Sequence, residues 1–101
     1  MILVITQMKV VSEKRMELLQ TIASLSDFIG LEKGCNRCNL CQSIEDENRL
    51  FLLEEWDTRK SLMVHMRSER YKVLRGAMNL LQEPCEKSFY TVYHPKEIND
   101  I

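Results

Sequence analysis

The stretch Leu50–His65, LFLLEEWDTRKSLMVH, reads as a buried strand ending in a carboxylate and a tryptophan, then a capped helix carrying a histidine. On a pleated strand, Leu50, Leu52, Glu54 and Trp56 share one face. Asp57 or Thr58 can cap the helix, which puts Leu62, His65 and Met66 on neighbouring positions. An acid, an indole and an imidazole are therefore expected beside one apolar core. Any active site is expected here.

Upstream, Arg49 to Trp56 pairs with Cys35 to Ile44 as a hairpin across the polar turn Glu45-Asp46-Glu47-Asn48, with Cys38, Leu40 and Ile44 on one face. Gly34 permits the turn before that strand. Leu18, Ile22, Leu25 and Ile29 form one helical stripe, capped by Ser12 and fading near Ser26 to Gly30. Ile2 to Val10 is a further strand, apolar on both faces in its first half, as suits a strand covered on two sides. Downstream, Ser68 caps a helix with Tyr71, Leu74, Met78 and Leu81 on its inner stripe, and Pro84 stops it. Cys85 to Tyr93 is a fourth strand. A polar, loose tail is expected over 94–101.

The order β-α-β-β-α-β, with the second helix broken in two, is the ferredoxin-like split βαβ arrangement, an α+β fold on an antiparallel sheet. Its helices cover one sheet face. The simplest cover for the other is a second copy, giving a homodimer.

The 101 residues make one domain, 1–101, and 45% hydrophobic content supports a core. Acidic and basic residues nearly cancel, at 15 against 14, and no long basic run suggests nucleic acid as a partner. MILVITQMKV lacks the pattern of a signal peptide. No segment approaches the ~18 apolar residues of a membrane span, so no membrane partner is expected. A cytoplasmic setting is the expectation, with Cys35, Cys38, Cys41 and Cys85 reduced and free.

Gly34-Cys35, the acid-tipped hairpin, Glu54-x-Trp56, His65 in the following helix and Ser68 opening the next together resemble the antibiotic biosynthesis monooxygenase domain. The resemblance covers essentially the whole chain. It implies a dimeric α+β barrel and includes small quinol monooxygenases, haem-degrading enzymes and an isomerase of a phosphorylated signalling sugar.

Each candidate residue has a structural reading beside a chemical one. Trp56 is a core aromatic or a wall on which a flat substrate stacks. Glu54, costly to bury unless paired or protonated, is a structural partner or an acid–base group with a raised pKa. His65 packs at a helix edge or serves as a general base. Tyr71 and Arg75, one helical turn apart, pack and meet solvent, or they steady an anionic substrate.

Cys35-x-x-Cys38-x-x-Cys41 with remote Cys85 imitates iron–sulfur spacing. In a regular strand, however, Cys38 points away from Cys35 and Cys41, and those two lie about 20 Å apart. No metal is expected. Haem-degrading relatives use a first-strand Asn, a Trp ending the third strand and a His in the last helix. Trp56 matches, but Thr6 or Gln7 and Arg75 stand at the other two places, so haem is not expected.

There is no GxGxxG and no phosphate loop, and Gly30, Gly34 and Gly76 lie apart. The expected function is cofactor-independent monooxygenation of a quinol-like or polyphenolic small molecule by dioxygen. His65 would be the base, Glu54 would orient it or bind a hydroxyl, Trp56 would stack, and Tyr71 or Arg75 would hold the anion. The alternatives are an isomerase that grips a phosphate with Arg75 and Lys72, and a dimeric, non-catalytic small-ligand-binding domain.

Overall fold

In the computed structural model, residues 1–93 and 95–98 are described. Strand β1, Ile2–Lys9, precedes helix α1, Arg15–Ile29. Strands β2, Cys35–Gln42, and β3, Arg49–Trp56, form a hairpin. Helices α2, Arg59–Met66, and α3, Glu69–Ala77, lead to strand β4, Glu86–Thr91. The sheet runs β2-β3-β1-β4 with every neighbouring pair antiparallel. This is the expected ferredoxin-like α+β fold.

The alternation LFLLEEW places Leu50, Leu52, Glu54 and Trp56 under the helices, all buried, and β1 adds Val4, Thr6 and Met8 beside them. Leu18, Ile22 and Ile29 of α1, Leu62 of α2 and Leu74 of α3 close this core from above. Fully burying an apolar side chain of this kind is worth about 1.5–3 kcal/mol. The opposite sheet face bears Leu3, Ile5, Phe51 and Leu53, all half-buried.

Local chemistry sets the helix starts. Thr58, not Asp57, caps α2, its hydroxyl accepting from the Ser61 N–H at 3.1 Å. Ser68 caps α3 and accepts from the Tyr71 N–H at 3.1 Å. Ser12 does not cap α1. A 3-10 turn, Ser12–Lys14, intervenes, and the Ser12 hydroxyl instead accepts from Asn48 Nδ2 at 3.1 Å. Gly34 has φ +85°, and a Cβ there would strike the Ser61 side chain, so this turn requires glycine.

The structure departs from the sequence expectation at three further points. The regular hairpin register sets Cys38 opposite Glu54, and a bulge between Cys35 and Arg37 then brings Cys35 opposite Trp56 on the same face. Both thiols therefore face the helices, where simple alternation set them apart, while Cys41, opposite Phe51, lies on the other face. Strand β2 stops at Gln42, so Ile44 is fully exposed in the turn rather than aligned with Cys38 and Leu40. Helix α3 gives way at Met78 to a 3-10 turn, and Leu81 leaves the helical stripe to bridge Val10. In the expected loose tail, Pro95–Glu97 form a 3-10 turn, whereas His94 and residues 99–101 lie outside the described residues. Among the described residues no helix is long and apolar enough to cross a membrane.

Candidate active site

Strand β3 ends at Trp56 and α2 begins at Arg59, so the chain needs one turn to bring His65 back over the indole. The two rings stack with centroids 4.7 Å apart and planes 30° apart. Trp56 Nε1 donates to Glu54 Oε1 at 3.1 Å. His65 Nε2 lies 3.5 Å from that same oxygen, beyond hydrogen-bond geometry but within ion-pair reach. The three groups named from the sequence therefore converge.

They converge inside the core. Trp56, Glu54 and His65 are each no more than 1% exposed, and none lines either of the two hollows along β4. Burial pushes the Glu54 carboxyl above its ordinary range, against the Trp56 hydrogen bond and the charges of His65 and Lys87, which favour ionisation. On the β2 side, burial lifts the Cys35 thiol to about 11 and drives Cys38 higher still. Neither thiol is poised as a nucleophile. Among the described residues no three His, Cys, Asp or Glu side chains gather as metal ligands would.

A hollow of about 150 Å³ lies alongside, between α3 and β4, lined by Thr6, Tyr71, Leu74, Arg75, Met78, Cys85 and Lys87. Tyr71 is its link to the buried cluster, because its ring meets His65 edge-on at 5.3 Å. Lys87 Nζ donates to Tyr71 Oη at 2.9 Å and lies 4.7 Å from the centre of its ring. Thr6 Oγ1 is buried and has no hydrogen-bond partner among the described residues. Arg75 is exposed and enters no ion pair among the described residues. A second hollow of about 480 Å³ follows along β4, under α2, lined by Ile2, Leu62, Met66 and Phe89 among others, with Arg59 as its charge.

Tyr71 and Arg75 thus border a cavity, whereas Trp56, Glu54 and His65 stand behind its wall. Of the two first-strand candidates, Thr6 faces the cavity. Gln7 opposes Phe51 on the other face. Lys72, the second cation of the phosphate alternative, is tied to Glu69 at 3.0 Å and does not line this cavity. Sequence reasoning missed three contributors. Lys87 and Cys85 arrive through strand register, and Glu32, from the loop before β2, contacts His65 Nδ1 at 3.0 and 3.1 Å through its two oxygens. Glu32 had a faint signal, standing two residues before the obligatory glycine that brings its loop against α2.

Residues 1–77 match the antibiotic biosynthesis monooxygenase family. The chain belongs to that family. No curated protein matches it. Among solved structures, a proposed antibiotic biosynthesis monooxygenase from Nitrosomonas europaea superposes with TM-score 0.87 at 23% identity, covering 93% of this chain and all, 100%, of that one. A conserved protein from Methanosarcina mazei Go1 gives 0.85 at 29% identity over 91% of this chain and 92% of its own. Rv0793 from Mycobacterium tuberculosis gives 0.84 at 22% over 92% and 95%. At such identities these likenesses establish the fold, and family membership supports a monooxygenase-like function in general terms.

Proposed function

We propose that this protein oxidises a quinol-like aromatic with dioxygen, with the reacting ring held in the cavity of Thr6, Tyr71, Arg75 and Lys87. The observation that carries this reading is the pairing of two cations and two hydroxyls around a hollow of about 150 Å³. A cavity near that size admits a single aromatic ring. The ammonium and the guanidinium favour the ionised phenol over the neutral one. Tyr71 Oη and Thr6 Oγ1 supply hydrogen bonds to its oxygens.

Ionisation is the step the protein must promote. A quinol anion is electron-rich enough to pass one electron to dioxygen, and recombination at a ring carbon gives a hydroperoxide. Loss of water leaves a hydroxyquinone, so that quinol plus dioxygen gives hydroxyquinone plus water. Dioxygen is the only oxidant the balance requires. The base this reading assigns to the departing phenolic proton is the buried His65–Glu54 pair, which meets the cavity wall at the Tyr71 ring. Trp56 holds the imidazole by stacking and the carboxylate by its N–H. A positioned base supplies about 10²–10⁴-fold in rate. The apolar hollow under α2 would take the remainder of a larger substrate.

The same reading includes a second copy packed on the Leu3, Ile5, Phe51 and Leu53 face, and a cytoplasmic home for four free cysteines. An oxygen electrode with a panel of reduced naphthoquinols tests the activity. Uptake of one dioxygen per quinol above autoxidation, with a hydroxyquinone product, is expected. Lys87→Met should raise KM, and His65→Ala should cut kcat by about 10²-fold or more. No enzyme-dependent uptake from any quinol refutes the proposal, as would uptake indifferent to both variants. An isomerase consumes no oxygen, and a carrier binds without turnover.

A further inference from the structure

A buried imidazole is held between two carboxylates. His65 is 1% exposed. Its Nδ1 sits 3.0 and 3.1 Å from the two oxygens of Glu32, whose side chain is 17% exposed and lies 3.5 Å from Arg70 Nη1. Its Nε2 faces Glu54 Oε1 at 3.5 Å and has no hydrogen-bond partner. A carboxylate that embraces Nδ1 accepts an N–H there, which leaves the Nε2 lone pair for the inner acid. An unprotonated Nε2 opposite an ionised Glu54 would set two buried acceptors face to face, and burial makes that costly.

We propose that Glu32 is a positioning residue: it commits His65 to the Nδ1–H tautomer, so that the buried His65–Glu54 pair keeps one exchangeable proton, with Glu32 as its outlet to solvent. This rests on the quinol reading only for the use to which the proton is put. The other groups bearing on the pair are Lys87 of β4, Arg70 and Tyr71 of α3, and the thiols of Cys35 and Cys38 on β2. Of these, Lys87 is the cation on the Glu54 side, whereas Arg70 acts on Glu32 from the surface.

The test needs no substrate and uses the intact chain. Trp56 is its only tryptophan and His65 one of its two histidines, so indole emission and imidazole ¹⁵N shifts both report on the pair. A proton is expected on Nδ1 at every pH at which the fold persists, and Trp56 emission should change in one step as the pair gives up its last proton. Glu32→Ala should mix the tautomers and move that step to lower pH by about one unit or more, because an anion beside the ring is lost. Glu32→Asp should restore most of both.

A wild-type His65 with a bare Nδ1 and its proton on Nε2 overturns the proposal. So does a Glu32→Ala variant that melts earlier yet keeps the wild-type tautomer and emission step, the signature of a clamp with no part in protonation. The wild-type tautomer decides the matter even where Glu32→Ala does not fold. Since no quinol enters the measurement, the oxidation reading can fail while this one stands, and the reverse.

Discussion

Replacing Thr6 by valine exchanges a hydroxyl for a methyl group of nearly the same size at a position 1% exposed. Thr6 sits in mid-sheet, opposite Leu52 on one side and Lys87 on the other, and its Oγ1 has no partner. A buried polar group left unsatisfied costs about 1–3 kcal/mol. Valine also suits a strand at least as well as threonine does. Thr6→Val should therefore stabilise the protein by about 1–2 kcal/mol, and a domain of this size gains about 4–8 °C in Tm per kcal/mol. The gain in folding is a loss in binding. On the proposed quinol reading, one hydrogen bond to the substrate oxygen disappears, which at about 0.5–1.5 kcal/mol weakens affinity about two- to tenfold. Urea unfolding at fixed protein concentration measures the first effect and should show a higher midpoint at unchanged slope. Ligand titration measures the second. A variant no more stable than wild type refutes the reasoning, because it means that the hydroxyl is already satisfied in the resting protein.

Two further outcomes follow from the same geometry. Burial raises the Glu54 carboxyl, so the native state retains a proton that the unfolded chain has already released. That stabilisation is complete below the unfolded carboxylate range and is lost as pH rises through the native value, at about 1.4 kcal/mol per pH unit per proton. Glu54→Gln keeps an acceptor for Trp56 and should flatten this part of the stability curve. Parallel wild-type and variant curves would show that the carboxyl does not titrate differently in the fold. Ile5→Glu places a charge in the middle of the helix-free sheet face, opposite Leu53. Light scattering should find the wild type dimeric at micromolar concentration and the variant monomeric or unfolded. A monomeric wild type removes the second copy from that face.

The legible part of this molecule was the part in which chemistry is local in the chain. Leu50 to Trp56 alternates because one face is buried, and Thr58 and Ser68 announce helix starts because their hydroxyls answer orphan N–H groups three residues on. Trp56 and His65 lie nine positions apart across one tight turn, so their meeting could be read directly. Thr6, Cys85 and Lys87 could not be joined that way, since only the β1–β4 register brings the first strand and the last to one cavity. Glu32 was hidden for a related reason. It stands 33 residues before His65 in a polar loop whose composition says only that it meets solvent. Period-two counting also fails at a bulge, where one extra residue changes which side chains share a face.

The strands on either side of the acid bear on its charge. In the regular register between the bulge and the hairpin turn, Glu54 has Cys38 as its cross-strand neighbour on one side and Val4 on the other. A thiol held protonated and a valine offer no opposite charge and no strong hydrogen bond, so the sheet itself cannot neutralise the carboxyl. Compensation must come from outside the layer of strands it sits in. It comes from His65 above and from Lys87 at the sheet's far edge, the first leading through Glu32 to solvent and the second lining the cavity. On the proposed reading, a buried acid whose two counter-charges point to solvent and to a ligand-sized hollow passes a proton between them. Converting Cys38 to lysine would test this by supplying the missing charge from within the sheet. Trp56 emission should then lose its pH step, because Glu54 would stay ionised with a permanent partner, and retention of the step would show that the sheet's neutrality is incidental.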